Sequence, residues 1–157
     1  EMSASLVGSE MCIRDREIKL FLGLIQFSED ISWKEAELKR MLLFTRKYDS
    51  KKIKEQAEMS ILKELASIQE EKGDAQKELE YIEQALTLVK ESRTMRGLAE
   101  LHFKKAGLLK ELMQRNKDMQ QEYQKQCQVE LTMAYYTALV MNNVELVQKI
   151  KTTGDRV

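Results

Sequence analysis

This sequence has no proline, six glycines and a single histidine among its 157 residues. With so few residues that end helices or form tight turns, long helices are favoured. No apolar run approaches the roughly 20 residues that a membrane-spanning helix needs. One histidine and two cysteines could not build a zinc site without carboxylates, and no such cluster stands out. These scarcities predict an all-α protein that holds no metal and no cofactor.

The chain also lacks an excess of either charge, because 26 Lys and Arg residues balance 26 Asp and Glu residues. A neutral chain has no electrostatic reason to bind nucleic acid or an anionic membrane. Cys12 and Cys127 lie far apart, so a disulfide framework is not expected. No secretory signal is evident. We therefore expect a cytoplasmic protein with no membrane association and no direct contact with nucleic acid from this segment.

The first sixteen residues differ in character from the rest. Residues 5–16, SLVGSEMCIRDR, have neither helical nor strand periodicity. They resemble a stretch that recurs at the ends of unrelated environmental sequences and that looks like translated sequencing adapter. We expect residues 1–16 to be an artefact or a disordered leader, in which case Cys12 is not native. Residues 17–157 then form the domain, truncated at its N-terminus.

From residue 17 onward, apolar residues recur at helical spacing, beginning with Ile18, Phe21, Leu22 and Ile25. Ser32 stands three residues before Glu35, a capping-box pattern that predicts the start of a second helix at Ser32. Later caps and turns are predicted at Asp49 or Ser50, at Gly73 with Asp74, at Ser92 or Thr94, at Asn116 with Asp118, and at Asn142 with Asn143. A strict i+4 stripe is predicted to run through Met119, Tyr123, Cys127, Leu131 and Tyr135.

The helices repeat with a step of 41 residues. The small residues Ala66 and Gly107 are related by this step, as are the bulky residues Ile82 and Tyr123. We expect the small residue to let the paired helix approach closely, and the bulky one to fill the gap beside it. The same step places the turns within the helical hairpins at Ser32, Gly73 and Gln114. Stacked hairpins bury the apolar face that a single hairpin leaves exposed.

Two stretches resemble the tetratricopeptide repeat. One is Gly73-Asp74 followed by Ile82, Ala85 and Leu86, and the other comprises Phe103, Ala106, Gly107, Met119 and Tyr123. The chain departs from the family in its period, which exceeds the usual length of about 34 residues, and in Glu78 and Gln126, which stand where small residues are usual. The resemblance implies a right-handed stack of antiparallel helical hairpins, a tetratricopeptide-like superhelix. An irregular helical bundle is the alternative.

Catalysis is not expected from this sequence. His102 has no serine, cysteine or acidic residue at a recognisable catalytic spacing, so we interpret it as a surface or semi-buried histidine. Cys127 lies on an apolar stripe and is interpreted as a buried, inert thiol. No two glycines are close enough to form a nucleotide-binding loop. The chain is therefore predicted not to be an enzyme.

The resemblance implies that the first helices of successive hairpins line a groove that binds an extended peptide. Lysine and glutamate side chains in such a groove can bind peptide termini or charged side chains, and a serine can reach the backbone. The alternative for these positions is an ordinary solvent-facing helix surface. The peptide-binding residues implied by the resemblance are Lys63, Ser67, Glu70, Lys104, Leu108 and Glu111.

Repeats of about 40 residues and the tail AYYTALVMNNVELVQKIK are similar to the Rgg- and PlcR-like bacterial transcription regulators. That similarity implies the C-terminal sensor and dimerisation part of a peptide-responsive regulator, with a peptide or protein ligand and a possible homodimer. Two alternatives stay open. One is a general protein–protein adaptor with no DNA-binding role, and the other is a helical-repeat regulatory or phosphatase protein whose chemistry lies in another domain.

Overall fold

The computed structural model describes residue 16 and residues 20–25, 27–47 and 51–154. Throughout these ranges the regular elements are helical and no strand occurs, which confirms the all-α class. No helix in these ranges is both long enough and apolar enough to cross a membrane. The predictions for residues 1–15 with Cys12, for Ile18, and for a cap at Asp49 or Ser50 lie outside the described residues.

The described chain folds into two compact units, Glu1–Ile68 and Gln69–Val157, whose boundary falls within one helix. Residues 20–25 are helical. The longer helices are α1 (Ile31–Thr45), α2 (Lys51–Lys72), α3 (Ala75–Ser92), α4 (Leu98–Arg115), α5 (Gln120–Val140) and α6 (Val144–Gly154), with a 3₁₀ turn at Lys117–Met119 before α5.

In the first unit, the N-cap of α1 is Asp30, two residues before the predicted cap at Ser32. The Asp30 carboxylate accepts hydrogen bonds from the backbone N–H groups of Ser32 at 2.9 Å and Trp33 at 3.0 Å. A carboxylate is a good N-cap because it satisfies N–H groups that have no partner within the helix. The predicted capping box at Ser32 is therefore wrong, since Ser32 lies within the first turn.

Apolar side chains at helical spacing form the core of the first unit. On α1 the buried residues are Leu38, Met41, Leu42 and Thr45, and the Thr45 hydroxyl donates to the Leu42 carbonyl at 2.9 Å. This hydrogen bond satisfies the one polar group of that buried set. The remaining buried apolar residues of this unit are Ile25, Ala57, Ile61, Leu62, Leu65, Ala66 and Ile68.

In the second unit, α4 packs along α5 in an antiparallel hairpin. His102, early in α4, contacts Glu130 in the middle of α5, whereas Ala106, further along α4, contacts Cys127, which lies nearer the start of α5. Contacts that advance along one helix and retreat along the other define the antiparallel direction. Helix α4 also packs against α3, and α5 packs against α6. The central helix α4 therefore contributes buried residues from Ala99 to Leu112.

The turns of the second unit confirm some predicted boundaries and correct others. Gly73 adopts a left-handed φ of 68°, and the Asp74 carboxylate accepts from the backbone N–H of Lys77, as predicted for these two positions. Asn142 also has a positive φ, of 54°, at the predicted break. The helix α4, however, is preceded by Gly97 with a φ of 75° and has no side-chain cap. The predicted caps at Ser92 or Thr94 are therefore wrong.

The step of 41 residues does not locate the turns. Only Gly73 lies between two helices, because Ser32 falls in the first turn of α1 and Gln114 in the last turn of α4. The helices α1, α3 and α5 begin at Ile31, Ala75 and Gln120, and each step between these starts is longer than 41 residues. The apolar pattern therefore recurs at a shorter spacing than the helix boundaries do.

The predicted stripe on α5 is only partly buried. Cys127 and Leu131 are buried, but Met119 is 41% exposed. A strict i+4 spacing turns by about 40° at each step around a helix of 3.6 residues per turn, so it leaves the packed face after a few turns. The observed core corrects this drift with a step of three residues, and the buried set is Cys127, Leu131, Ala134, Thr137 and Ala138.

Candidate functional site

A cavity of about 480 Å³ lies within the second unit, along one side of α4. One part of its wall comes from the end of α2 and the start of α3, and another from α6. The floor between them is formed by small or apolar side chains of α4 and α5. The lining residues are Glu70, Gly73, Ala75, Glu78, Phe103, Lys104, Ala106, Gly107, Leu108, Lys110, Glu111, Cys127, Leu131, Lys149 and Thr153.

On the α2 and α3 side, one ammonium group joins two carboxylates. Lys104 Nζ lies 3.0 Å from Glu70 Oε2 and 2.9 Å from Glu78 Oε1. Glu70 is well exposed, whereas Glu78 is buried, with 3% of its surface accessible. The contact with Glu78 is an ion pair without a well-aligned hydrogen bond, because Glu78 Oε1 has no hydrogen-bond partner among the described residues.

The ionisation of this cluster follows from its burial. Burial raises the pKa of Glu78 above its ordinary value, and the neighbouring Lys104 offsets only part of that shift. For Lys104, burial alone would lower the pKa, but the close contacts with the Glu78 and Glu70 carboxylates outweigh it and raise the pKa. Lys104 is therefore held as a cation whose charge is already matched by protein carboxylates.

Two other lysines of the lining, Lys110 on α4 and Lys149 on α6, are not matched in this way. Neither Lys110 nor Lys149 forms an ion pair within the ranges that the structure describes. The Lys149 ammonium lies 5.8 Å from the centroid of the Phe103 ring, a cation–π contact that leaves its hydrogen-bond donors available. The cavity lining therefore offers positive charge from these two lysines to an anionic group, beside apolar residues such as Phe103 and Leu131.

Gly107 on α4 lines the cavity and has no side chain to fill it. A Cβ atom added at Gly107 would meet no heavy atom within 4 Å. The prediction that this residue lets a paired helix approach closely is therefore wrong, because no side chain or backbone packs against it. Glycine within a helix is less stable than alanine by about 0.5–1 kcal/mol, and packing does not explain that cost here. The missing side chain instead leaves room inside the cavity.

The structure brings together four of the six predicted peptide-binding residues. Glu70, Lys104, Leu108 and Glu111 all line the cavity, although Leu108 is only 6% exposed and offers little surface to a ligand. The Glu111 carboxylate also pairs with Arg115 Nη2 at 2.5 Å. Lys63 and Ser67 are exposed on α2 in the first unit and do not line this cavity. Their role in binding stays a prediction.

A second charged cluster, centred on His102, lies outside the cavity lining. His102 is 3% exposed, and its Nδ1 atom lies 2.5 Å from Glu130 Oε2. The other Glu130 oxygen is 3.1 Å from Lys105 Nζ, which also pairs with Glu83 at 2.8 Å. This cluster joins α3, α4 and α5. The interpretation of His102 as surface or semi-buried is therefore wrong, because the residue is buried with an acidic partner from α5.

The ionisation of Glu130 and Lys105 reflects this pairing. Burial would raise the pKa of Glu130, but His102 and Lys105 outweigh it, so that the pKa lies below its ordinary value. Burial would also lower the pKa of Lys105, and its two carboxylate partners raise the pKa instead. Both groups are thus held in their charged forms within the fold.

Cys127 is buried, as predicted, and its thiol donates to the Ala106 carbonyl at 3.4 Å. Burial raises the pKa of the thiol, which disfavours the nucleophilic thiolate. Within the described ranges, no group of three or more His, Cys, Asp or Glu side chains could hold a metal ion.

Several lining residues could not be predicted from the sequence. Lys110 and Lys149 lie 39 positions apart in the sequence, and only the packing of α6 brings Lys149 to Phe103. The sequence gives one signal for Glu78, because a glutamate stands there in place of the small residue that is usual in the tetratricopeptide repeat. Comparison of this chain with protein-family models, with curated proteins and with solved structures finds no match.

Proposed function

We propose that this chain is a peptide-binding helical-repeat protein and that the cavity along α4 holds an extended peptide. The observation that carries the proposal is the division of the cavity into two chemically different sides. In one part, the charge of Lys104 is matched by the carboxylates of Glu70 and Glu78. In the other, Lys110 and Lys149 have no carboxylate partner among the described residues and line the cavity together with apolar residues. A ligand with an apolar side chain next to a carboxylate complements the second side.

The size of the cavity fits a few residues of such a peptide. Its volume of about 480 Å³ falls within the range of roughly 300–1,000 Å³ that is typical of small-ligand sites. The apolar floor, which includes Phe103 and Leu131, gives a place for one or two side chains. The ammonium groups of Lys110 and Lys149 can then bind the C-terminal carboxylate, which every free peptide carries.

The order of helices supports the same reading. All five helices from α2 to α6 contribute residues to the cavity lining, and among them α2, α4 and α6 are alternate helices along the chain. In a stack of tetratricopeptide-like hairpins these would be the first helices of successive pairs, which line the concave side. Both the right-handed superhelix and this assignment of the helices belong to the proposal. An irregular bundle with a cavity along α4 is compatible with the same function.

The similarity to Rgg- and PlcR-like proteins extends the proposal to a regulatory role. In that extension the chain is the sensor part of a bacterial transcription regulator, and the bound peptide is a signal. The general adaptor is the second candidate, and it would bind an exposed segment of a folded partner protein. An internal segment has no C-terminal carboxylate at the site, so a requirement for a free carboxylate separates the two candidates.

The experiment begins with affinity selection from a library of random pentapeptides with free C-terminal carboxylates on the immobilised protein. The selected peptide and its C-terminal amide are then compared by isothermal titration calorimetry. We expect the amide to bind at least tenfold more weakly, which corresponds to about 1.4 kcal/mol. Lys110→Gln and Lys149→Gln should weaken binding of the free acid but should change binding of the amide much less.

The matched control is Lys117→Gln, which removes an exposed lysine from the 3₁₀ turn and outside the cavity lining. This variant should bind the peptide like the original chain. Failure to select any peptide would overturn the proposed function. Equal affinity for acid and amide would overturn the role of the two lysines and would favour the adaptor.

A further inference from the structure

Helix α4 presents two rows of side chains to the cavity. Residues seven positions apart lie within about 20° of each other around a helix of 3.6 residues per turn, so Lys104 and Glu111 form one row, the Lys104 row. Phe103 and Lys110 form the other, the Lys110 row, which is turned by about 100° from the first. By the same geometry, Gly107 falls between the two rows and adds no side chain to the space that separates them.

The neighbouring helices place opposite charges beside the two rows. Lys104 Nζ lies 3.0 Å from Glu70 Oε2 at the end of α2 and 2.9 Å from Glu78 Oε1 in the first turn of α3. Phe103 instead faces α6, where the Lys149 ammonium lies 5.8 Å from the centroid of its ring. The Lys104 row is therefore bordered by carboxylates, and the Lys110 row is bordered by an ammonium group.

The carboxylates around the Lys104 row outnumber the cations that pair with them. Lys104 supplies one ammonium group to the two carboxylates of Glu70 and Glu78. The Glu111 carboxylate has its own partner in Arg115, which does not line the cavity. With these groups ionised, this part of the cavity carries a net negative charge.

Glu78 is an independent sign that a ligand completes this part of the cavity. Its side chain lines the cavity and is only 4% exposed, yet Oε1 has no hydrogen-bond partner among the described residues. Native proteins leave few buried polar atoms in this state, because the lost contact with water is not replaced. Burial and the charges of Glu70 and Glu111 raise the pKa of Glu78 against the effect of Lys104. A cationic donor would supply both a hydrogen bond and a balancing charge.

We propose that the peptide in this cavity carries a lysine or arginine side chain within two residues of its C-terminal carboxylate, and that this side chain binds Glu70 and Glu78. The inference rests on the proposed function, because it takes the carboxylate to be bound by Lys110 and Lys149. Only Gly107 separates the two rows on α4, so the cation and the carboxylate of the ligand must lie close together. Neighbouring residues at the end of a peptide meet that requirement.

The composition of the selected pentapeptides is the first test. Lysine or arginine should be enriched at the last two positions, relative to the random library before selection. The selected peptide is then compared by isothermal titration calorimetry with an analogue in which norleucine replaces the lysine, or citrulline replaces the arginine. Both replacements remove the charge and keep a side chain of similar length. We expect the analogue to bind the original chain at least tenfold more weakly.

Two variants of the protein assign this difference to the carboxylates. In Glu70→Gln and in Glu78→Gln, the affinity ratio between peptide and analogue should fall towards one, because the cation loses a charged partner. The matched control is Glu71→Gln, which removes the same charge from an exposed position next to Glu70 and outside the lining. This control should keep the tenfold ratio. Since the Glu70 side chain is 63% exposed, Glu70→Gln decides the matter even where Glu78→Gln fails to fold.

The outcomes separate this inference from the proposed function. Selected peptides that need their free carboxylate but carry no basic residue near it would overturn the inference and leave the proposed function standing. Failure to select any peptide would overturn both. A tenfold ratio that persists in Glu70→Gln would place the cation away from these carboxylates and would also overturn the inference.

Discussion

Lys104 Nζ lies 2.9 Å from Oε1 of Glu78, a carboxylate whose side chain is only 4% exposed. This ion pair joins the middle of α4 to the first turn of α3 and forms part of the cavity wall. Because Glu78 is buried, its charge depends on Lys104 far more than a surface carboxylate would depend on its partner. Lys104, which was predicted to bind a peptide, therefore also stabilises the fold through this ion pair.

Replacing Lys104 with Met should destabilise the second unit in a pH-dependent way. At neutral pH the buried Glu78 carboxylate loses its partner, at a cost of about 1–2 kcal/mol, since water can partly reach a site where Lys104 is 37% exposed. The pKa of Glu78 is already raised above 4.5 and should rise further. A raised pKa means that stability is greatest below the unfolded-state value and is lost as the pH rises through the folded-state value.

Urea denaturation of Lys104→Met at a series of pH values measures this effect. The difference from the original chain should be small below pH 4.5, the ordinary pKa of Glu78, and largest at neutral pH. The control is the double variant Glu78→Gln with Lys104→Met, in which no charge remains at this pair, so its difference from the original chain should no longer grow between acidic and neutral pH. A deficit in Lys104→Met that is constant with pH would show that lost packing, and not the charge of Glu78, causes it.

Glu130→Gln should also destabilise the fold, through the cluster with His102 and Lys105. The pKa of Glu130 is lowered by these partners, so its contribution to stability is present above the ordinary value of 4.5 and is lost as the pH falls through the lower, folded-state value. We expect a loss of about 1–3 kcal/mol at neutral pH. Thermal unfolding should show the original chain approaching the variant on acidification. Identical stability at neutral pH would contradict the assigned pairing.

Two glycines should respond in opposite directions to substitution by alanine. Gly107→Ala should stabilise the chain by about 0.5–1 kcal/mol, because its Cβ meets no neighbour and alanine favours the helix. Gly73→Ala should destabilise it by about 1 kcal/mol, since Gly73 has a φ of 68° that alanine rarely adopts. Chemical denaturation of both variants provides the measurement. A loss of stability in Gly107→Ala would mean that this position is packed after all.

The first turn of α1 gives a matched pair of cap variants. Asp30→Ala should lose about 0.5–2 kcal/mol, because the carboxylate accepts from two backbone N–H groups at the start of the helix. Ser32→Ala should change stability little, since Ser32 is exposed and is not the cap. Urea denaturation of the two variants side by side tests the assignment. The reverse order would restore the capping box at Ser32.

The helical class could be predicted because it rests on local features. The absence of proline and the spacing of buried residues such as Ile61, Leu65 and Ile82 are properties of neighbouring positions in the chain. Gly73 and Asp74 were likewise correctly assigned, because a left-handed φ and a side-chain cap leave a local signature. The start of α1 was misplaced because the Ser32–Glu35 spacing fits a capping box, while the cap in the structure is the Asp30 carboxylate two residues earlier.

The contacts between helices could not be predicted in the same way. The pairing of His102 with Glu130 joins residues on different helices, and no spacing rule links them. The role of Gly107 could not be predicted, because a small residue has the same appearance in the sequence whether it admits a neighbouring helix or borders an open cavity. Glu70 and Lys104 also lie on different helices, and they were predicted to belong to one site only because the family resemblance implied it.

The central claim, a peptide in the cavity along α4, is tested most directly by filling the floor of that cavity. Gly107→Leu adds a side chain whose Cβ has no neighbour within 4 Å beyond its own turn of the helix, so the helix should form at least as well as before. Calorimetric titration with the selected free-acid peptide should show affinity reduced at least tenfold, about 1.4 kcal/mol, with no loss of thermal stability. Unchanged affinity in this folded variant would contradict the account.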